Sequence, residues 1–455
     1  MQQIETYIHE NRDRFLEELF TLLRQRSISA TGEGVEECAQ LLANMMRKIG
    51  ISTRILPWTR NPFIFGEVSN PAAEQTVLIY GHYDVQPPDP LDEWTSPPFE
   101  PEIRDGKIFA RGAGDNKGQH FANLKAIESI LQTKGQLPVN VKLLLEGEEE
   151  IGSPNLATFV EEHKERLACD LVYCADGHMH YGTVPEIIFG VRGILYLELI
   201  ARGANRDLHS GMYGGVSPNP NERLARLLTE LKAVDNHINI DGFYDDVLPP
   251  TDLEREALRG IPYTDDEILS DLGISEIPGD RDISSLEKLM FQPTLNANGF
   301  RGGYLGEGSK TIIPRDATLK IDIRLVANQD PEDIFRKFTA FLHKHGYDDI
   351  EVIRHGTMPP CRTPLDHPIA KPVIEAVKAT YGGEPRLIPC LGGSLPNAAF
   401  EKILKAPNIF VPYAQTDENN HAPNERLALE NFYWGIRTMA HLLYRLADSS
   451  GKLSG

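Results

Sequence analysis

The chain has 455 residues and a formal net charge of −20, from 46 basic and 66 acidic side chains. Hydrophobic residues make up 41% and charged residues 25%, the composition of a folded globular protein rather than a disordered one. The acidity argues against nucleic acid or an anionic membrane as partner, because both reward basic patches, and no apolar run approaches the ~18–20 residues that span a bilayer. In chain order, Ile4, Ile8, Phe15, Leu16, Leu19, Leu22 and Leu23 recur at helical spacing. The N-terminus therefore reads as an amphipathic helix and not as a signal peptide. Residues 35–49 repeat the pattern until Gly50 stops it. Short continuous apolar runs follow at 77–80, 141–145, 171–175 and 409–411, alternating with helical segments at 117–134 and 427–446. That alternation predicts a mainly parallel sheet covered on both faces.

Residues 188–355 read differently. Leu319, Ile321, Ile323 and Leu325 alternate with Lys320, Asp322 and Arg324, the period-2 signature of a sheet with one polar face. Helices are expected at 221–234 and 331–345, with an acidic, proline-containing insertion between them at 241–289. The expected organisation is an α/β domain, residues 1–188 and 366–455, interrupted by a smaller α+β domain at 189–365. Five scattered cysteines form no Cys-x-x-Cys pair, which fits a reducing compartment and makes a cytoplasmic protein the expectation.

Each apolar run leads to a residue able to ligate a metal: His82 in GHYDV, the run Glu146–Glu150, Asp176, and, after a loop, His421. Ligands bind beyond the carboxyl ends of strands in open α/β sheets, so these residues can converge. Asp115, in RGAGDNKG, is a fifth candidate. Taken singly, such residues are more often caps, turns or solvated loops. The glycines near Asp115 have neither dinucleotide-loop nor phosphate-loop spacing.

In this order, GHYDVQP, ARGAGDNKG, EGEEEIGS, DLHSGMYGG, GEGSKTIIP, IDIRL, GGSLPN and NNHAPNE resemble the dipeptidase/carnosinase-type metallopeptidases. That family also includes aminoacylases, glutamate carboxypeptidases and succinyl-diaminopimelate desuccinylases. The match covers nearly the whole chain and departs at Ala110, where the family has glycine. The resemblance implies a site for two divalent ions, zinc first, with manganese or cobalt as alternatives. His82 and Asp176 would bind one ion, Glu150 and His421 the other, and Asp115 would bridge them. Asp84 would orient His82, and Glu149 would act as general base toward a metal-bound water. A cis bond is implied between Asp115 and Asn116. Arg324 would clamp the substrate's terminal carboxylate, helped by Thr311 and Ser394, while His209 would polarise the scissile carbonyl. The smaller domain would act as lid and dimerisation unit, with His209 reaching the site of the other subunit. The expected activity is that of a metal-dependent exopeptidase on dipeptides or short peptides with a free carboxylate. An N-acyl-amino-acid amidohydrolase is the alternative, and a silent metal- or peptide-binding relative the rival from another class. His178 and His180 lie outside the pattern.

Overall fold

In the computed structural model, which describes residues 1–449, the four apolar runs become neighbours. Thr76–His82 lies parallel to both Asn140–Glu146 and Leu171–Cys174, and Leu171–Cys174 lies parallel to Asn408–Phe410. Ser52–Leu56 and Phe63–Val68 extend one side antiparallel, while Glu186–Ile188 and Arg386–Ile388 complete the other. The run Val77–Leu78–Ile79–Tyr80 is apolar throughout because both sheet faces are covered. Val77 and Ile79 enter one core, under the Lys117–Lys134 and Leu429–Asp448 helices, and Leu78 and Tyr80 enter the other.

The Lys117–Lys134 helix is buried on every side from Lys117 to Ile130, so no amphipathic stripe marks it. Its charges are paired: Lys117 Nζ donates to the Gln25 carbonyl at 2.6 Å, and Lys125 Nζ meets Glu128 at 2.7 Å. Two expected boundaries move. The N-terminal helix is two helices, Gln2–Glu10 and Arg12–Arg24, because Asn11 turns its side chain back onto the Tyr7 carbonyl at 2.8 Å. The last helix starts at Leu429, since Arg426–Ala428 first pairs with Lys107–Phe109.

A second, four-stranded antiparallel sheet runs in the order Thr294–Gly302, Asp316–Leu325, Gly193–Arg202, Glu351–Met358. Leu319, Ile321, Ile323 and Leu325 face the Pro220–Leu231 and Pro331–Lys344 helices in a core of their own. Residues 241–289 contribute the short helices Asp252–Arg259 and Asp265–Leu272 and lead into Ser285–Phe291. Leu258, Ile261, Leu286, Met290 and Phe291 of this region join the core of the central sheet, not that of the four-stranded one. Among the described residues no helix is long and apolar enough to cross a membrane.

Candidate metal centre

The carboxyl ends of the parallel strands deliver most of the site. Thr76–His82 ends on His82, and Asp176 follows Leu171–Cys174 by two residues. Glu149 and Glu150 open a single 3-10 turn just past Asn140–Glu146. Asp115 sits in the loop before Lys117–Lys134. His421 lies in the loop after Asn408–Phe410, where it, Asn419 and Asn424 all take positive φ.

These side chains form two groups of three. His82, Asp115 and Asp176 present ligand atoms within 4.8 Å of one another, and so do Asp115, Glu150 and His421. Asp115 belongs to both. One of its oxygens lies 3.0 Å from His82 Nε2 and the other 3.2 Å from His421 Nε2. Asp176 approaches the same His82 nitrogen at 3.6 Å, and Glu150 the same His421 nitrogen at 3.1 Å. The peptide bond between Asp115 and Asn116 is cis.

The electrostatics follow from packing acids and imidazoles together out of water. Burial opposes a charge on His82, but Asp176, Asp115 and Asp84 carry it well above the usual imidazole range. Hydrogen bonds to Asp115 and Glu150 raise His421 to about 10. Burial, reinforced by Asp115, pushes Glu150 up to about 7. Glu149 is raised further, by burial and by Asp176, Asp115 and Glu150, against the pull of His82. Two imidazolium charges do not neutralise so many carboxyl groups. Two divalent cations would, and the donors are the nitrogen and oxygen types that zinc, manganese and cobalt accept. The residues present therefore fit a two-metal site.

The supporting contacts are specific. His82 Nδ1 donates to the backbone carbonyl of Asp84 at 3.1 Å, which leaves Nε2 free to face the carboxylates. The Asp84 carboxylate lies farther, at 3.5 Å, and instead accepts from the amides of Glu149 and Glu150 at 3.2 and 3.0 Å. Asp84 thus ties the turn carrying Glu149 and Glu150 to the strand carrying His82. Glu148 accepts from Asn61 and Asn155 and so points elsewhere. His178 stacks on His180 with centroids 4.6 Å apart and lies 3.4 Å from Glu418, outside both triads.

Sequence reasoning missed three contributors. Fully buried Glu425 accepts from the amides of Gly112, Gly114 and Asp115 at 2.9–3.0 Å and pairs with Arg111 at 2.8 Å. It holds the Asp115 loop in place. Its signal was its position at the end of NNHAPNE. Gln86, in GHYDVQP, donates to Glu150 at 3.0 Å, and Asn116 spans the His82 amide and the Ala175 carbonyl. Gly114 has no room for a side chain, because a Cβ there would lie 1.9 Å from Glu418 Oε1.

The substrate-side candidates are elsewhere. Arg324 donates to Ser394 Oγ at 2.9 Å and meets Asp322 at 3.3 Å, so these two expected partners are together. His209 pairs with Ile312 on a two-stranded ribbon, and Thr311 lies just before it, its carbonyl accepting from the Ser210 amide at 3.0 Å. Both are exposed, and among the described residues no hydrogen bond or ion pair joins either to the metal ligands. His209 Nδ1 accepts from the Gly211 amide at 3.1 Å.

A doubly covered, mainly parallel sheet with two nitrogen–oxygen triads sharing one carboxylate at its strand ends defines a metal-dependent hydrolase. The chain belongs to Peptidase family M20/M25/M40, whose family model matches residues 78–445, and it is a metallopeptidase. It is 30% identical over 403 residues to the Cys-Gly metallodipeptidase dug1 of Schizosaccharomyces pombe, covering 86% of this chain and 83% of that one. It is 28% identical to the Beta-Ala-His dipeptidase of Homo sapiens over 96% of this chain and 86% of that one. Among solved structures it is similar to the M20 family metallo-carboxypeptidase Sso-CP2 from Sulfolobus solfataricus. There the TM-score is 0.84 and the identity 38%, over 95% of this chain and 99% of that one.

Proposed function

We propose that this metallopeptidase hydrolyses dipeptides or short peptides bearing a free C-terminal carboxylate, with two zinc ions held by His82, Asp115, Glu150, Asp176 and His421. The observation that carries the reading is the pair of ligand triads joined by Asp115. The names of the relatives, two dipeptidases and a carboxypeptidase, support the substrate class. When bound, the ions would polarise the scissile carbonyl and make the attacking water acidic near neutral pH.

Glu149 takes the proton of that water and later hands it to the leaving amine. Its backbone amide, fixed by Asp84, keeps it beside the triads. Arg324, steadied by Ser394, grips the terminal carboxylate, with Thr311 completing that end.

In this reading residues 189–365 form a lid and dimerisation domain, and His209 serves the other subunit. The edge strand Thr294–Gly302 is exposed along most of its length, and Phe300, Tyr304 and Leu305 leave apolar surface beside it. A second copy would cover that edge. In such a pair His209 stabilises the oxyanion of the neighbouring site. Five free thiols support a reducing, cytoplasmic setting, and the charge of −20 supports the absence of nucleic acid.

The test compares dipeptides, C-terminally amidated dipeptides and N-acyl amino acids with the zinc- or manganese-loaded enzyme. Fast hydrolysis of free dipeptides is expected. Turnover confined to N-acyl amino acids would make the protein a deacylase, and no turnover of either would leave a silent relative.

A further inference from the structure

Arg192 lies where the chain passes from Gly190–Val191, paired with Cys361–Arg362, into the first long strand of the four-stranded sheet. It is 93% buried, with a relative exposure of 7%. Buried arginines are normally matched by a carboxylate. This one is not: among the described residues no acidic oxygen lies within 4.0 Å of it, and its single side-chain hydrogen bond runs from Nε to the Gly392 carbonyl at 2.9 Å. Among the described residues its two terminal nitrogens make no hydrogen bond. Neither terminal nitrogen is among the fully sealed polar atoms that lack a partner, so both are open to an arriving anion.

The anion's position is marked by a second guanidinium. Arg324 is anchored by Nη1 to Ser394, two residues along the same loop from Gly392, and two residues span at most about 7 Å. Arg192 itself is fixed to this loop a second time, through its amide to Gly393 at 3.0 Å. Burial, with Arg324 adding to it, pulls Arg192 down to about 10, against Cys390 and Asp322. Asp322 is already engaged: it meets Arg324 Nε at 3.3 Å and accepts from Asn298 at 2.8 Å. Two like charges face one small loop with a single carboxylate between them. Gly392 leaves room for both Leu289 and the guanidinium: a Cβ there would lie 2.8 Å from Leu289 Cδ1 and 3.4 Å from Arg192 Nη2.

We propose that Arg192 is a second carboxylate-binding residue, which together with Arg324 seats the terminal carboxylate of the substrate. The inference rests on the peptidase reading above and deepens it. Each guanidinium offers a fork, and an anion held between two forks is fixed in direction as well as position. The seat also joins the two sheets: Arg324 comes from the four-stranded sheet, Arg192 from the connection between them, and Ser394 from the loop after Arg386–Ile388. Binding a free carboxylate would therefore draw the two parts of the molecule onto the same ligand.

The experiment measures KM and kcat of parent, Arg192→Gln, Arg192→Lys, Arg324→Gln and the double variant. Substrates are one dipeptide as free acid and as amide, and its analogues with C-terminal Glu and Gln. Metal content and thermal midpoint are recorded for each variant. Arg192→Gln should raise KM for the free acid roughly ten- to hundredfold, with the amide nearly unaffected. Losses in the double variant should be non-additive, because both residues hold one group. Arg192→Lys keeps a buried charge but loses the fork, so it should lie between parent and Gln and decides the matter if Gln does not fold. Equal losses on acid and amide would overturn the proposal and leave Arg192 a structural tie to Gly392. A loss confined to the contrast between C-terminal Glu and Gln would also overturn it, by assigning Arg192 to a side-chain carboxylate. If the parent itself treats acid and amide alike, the carboxylate clamp and this proposal fall together. An effect of Arg324 without one of Arg192 rejects the proposal alone.

Discussion

At the ends of the central sheet, Asp115 and four other candidate ligands gather in two triads that share it, while on the four-stranded sheet and its ribbon the substrate-side candidates are dispersed. In the first group His82 and Asp84 are fully buried and Asp115 and Asp176 nearly so, while His421 closes it from the exposed side. In the second, His209 and Thr311 are exposed and Arg324 is only partly covered. The contrast separates two tasks. Holding multivalent cations needs a rigid, pre-assembled cage of donors. Recognising the substrate allows groups on separate elements, or on separate chains, to meet only when the ligand arrives.

Three substitutions press on that contrast, the largest effect first. Glu149→Gln removes the proposed base, which belongs to the assembled half, so turnover should fall ~10²–10⁴-fold with both metals retained. Near-normal turnover by a metal-replete Glu149→Gln enzyme would exclude Glu149 as the base. His209→Ala acts on the dispersed half and should cost ~10²–10³-fold, the usual price of one oxyanion donor. Mixing His209→Ala with Glu149→Gln subunits then tells which chain the histidine serves. A heterodimer should recover about half of parental activity, because one of its two sites has both groups intact. No recovery after verified subunit exchange would place His209 in its own chain's site or outside catalysis. Arg324→Lys, the mildest change, keeps the charge and loses the fork. It should shrink the preference for free-acid over amidated peptides by roughly tenfold, as read from the ratio of kcat/KM values.

The assembled half was the more legible in the sequence, for a physical reason. Strand ends are marked by apolar runs, so His82, Asp176 and the Glu149–Glu150 pair could be placed at one edge without knowing the fold. The supports were not legible, because their partners are remote in sequence. Glu425 bonds to amides more than 300 positions away, and its place at the end of NNHAPNE does not reveal which groups it holds. Asp84 was read as the acceptor for His82, yet its carboxylate serves two backbone amides from the next strand's turn. Arg192 gave no periodic or motif signal, and only its burial without a counter-ion singles it out. On the fold level, the 117–134 helix was legible with its bounds, while the break at Asn11 shows the same limit: one side-chain hydrogen bond decided what periodicity alone left open.

The shared carboxylate is tested most directly by counting metal. Protein purified in zinc-containing buffer and freed of excess ion should hold close to two ions per chain, measured by mass spectrometry of the digested sample. Asp176→Ala loses a ligand of one ion only and should retain about one. Asp115→Ala removes the residue common to both triads and should fall below one, with its fold intact by circular dichroism. A parent that saturates at one ion, or an Asp115→Ala variant that keeps two, would contradict the bridged centre.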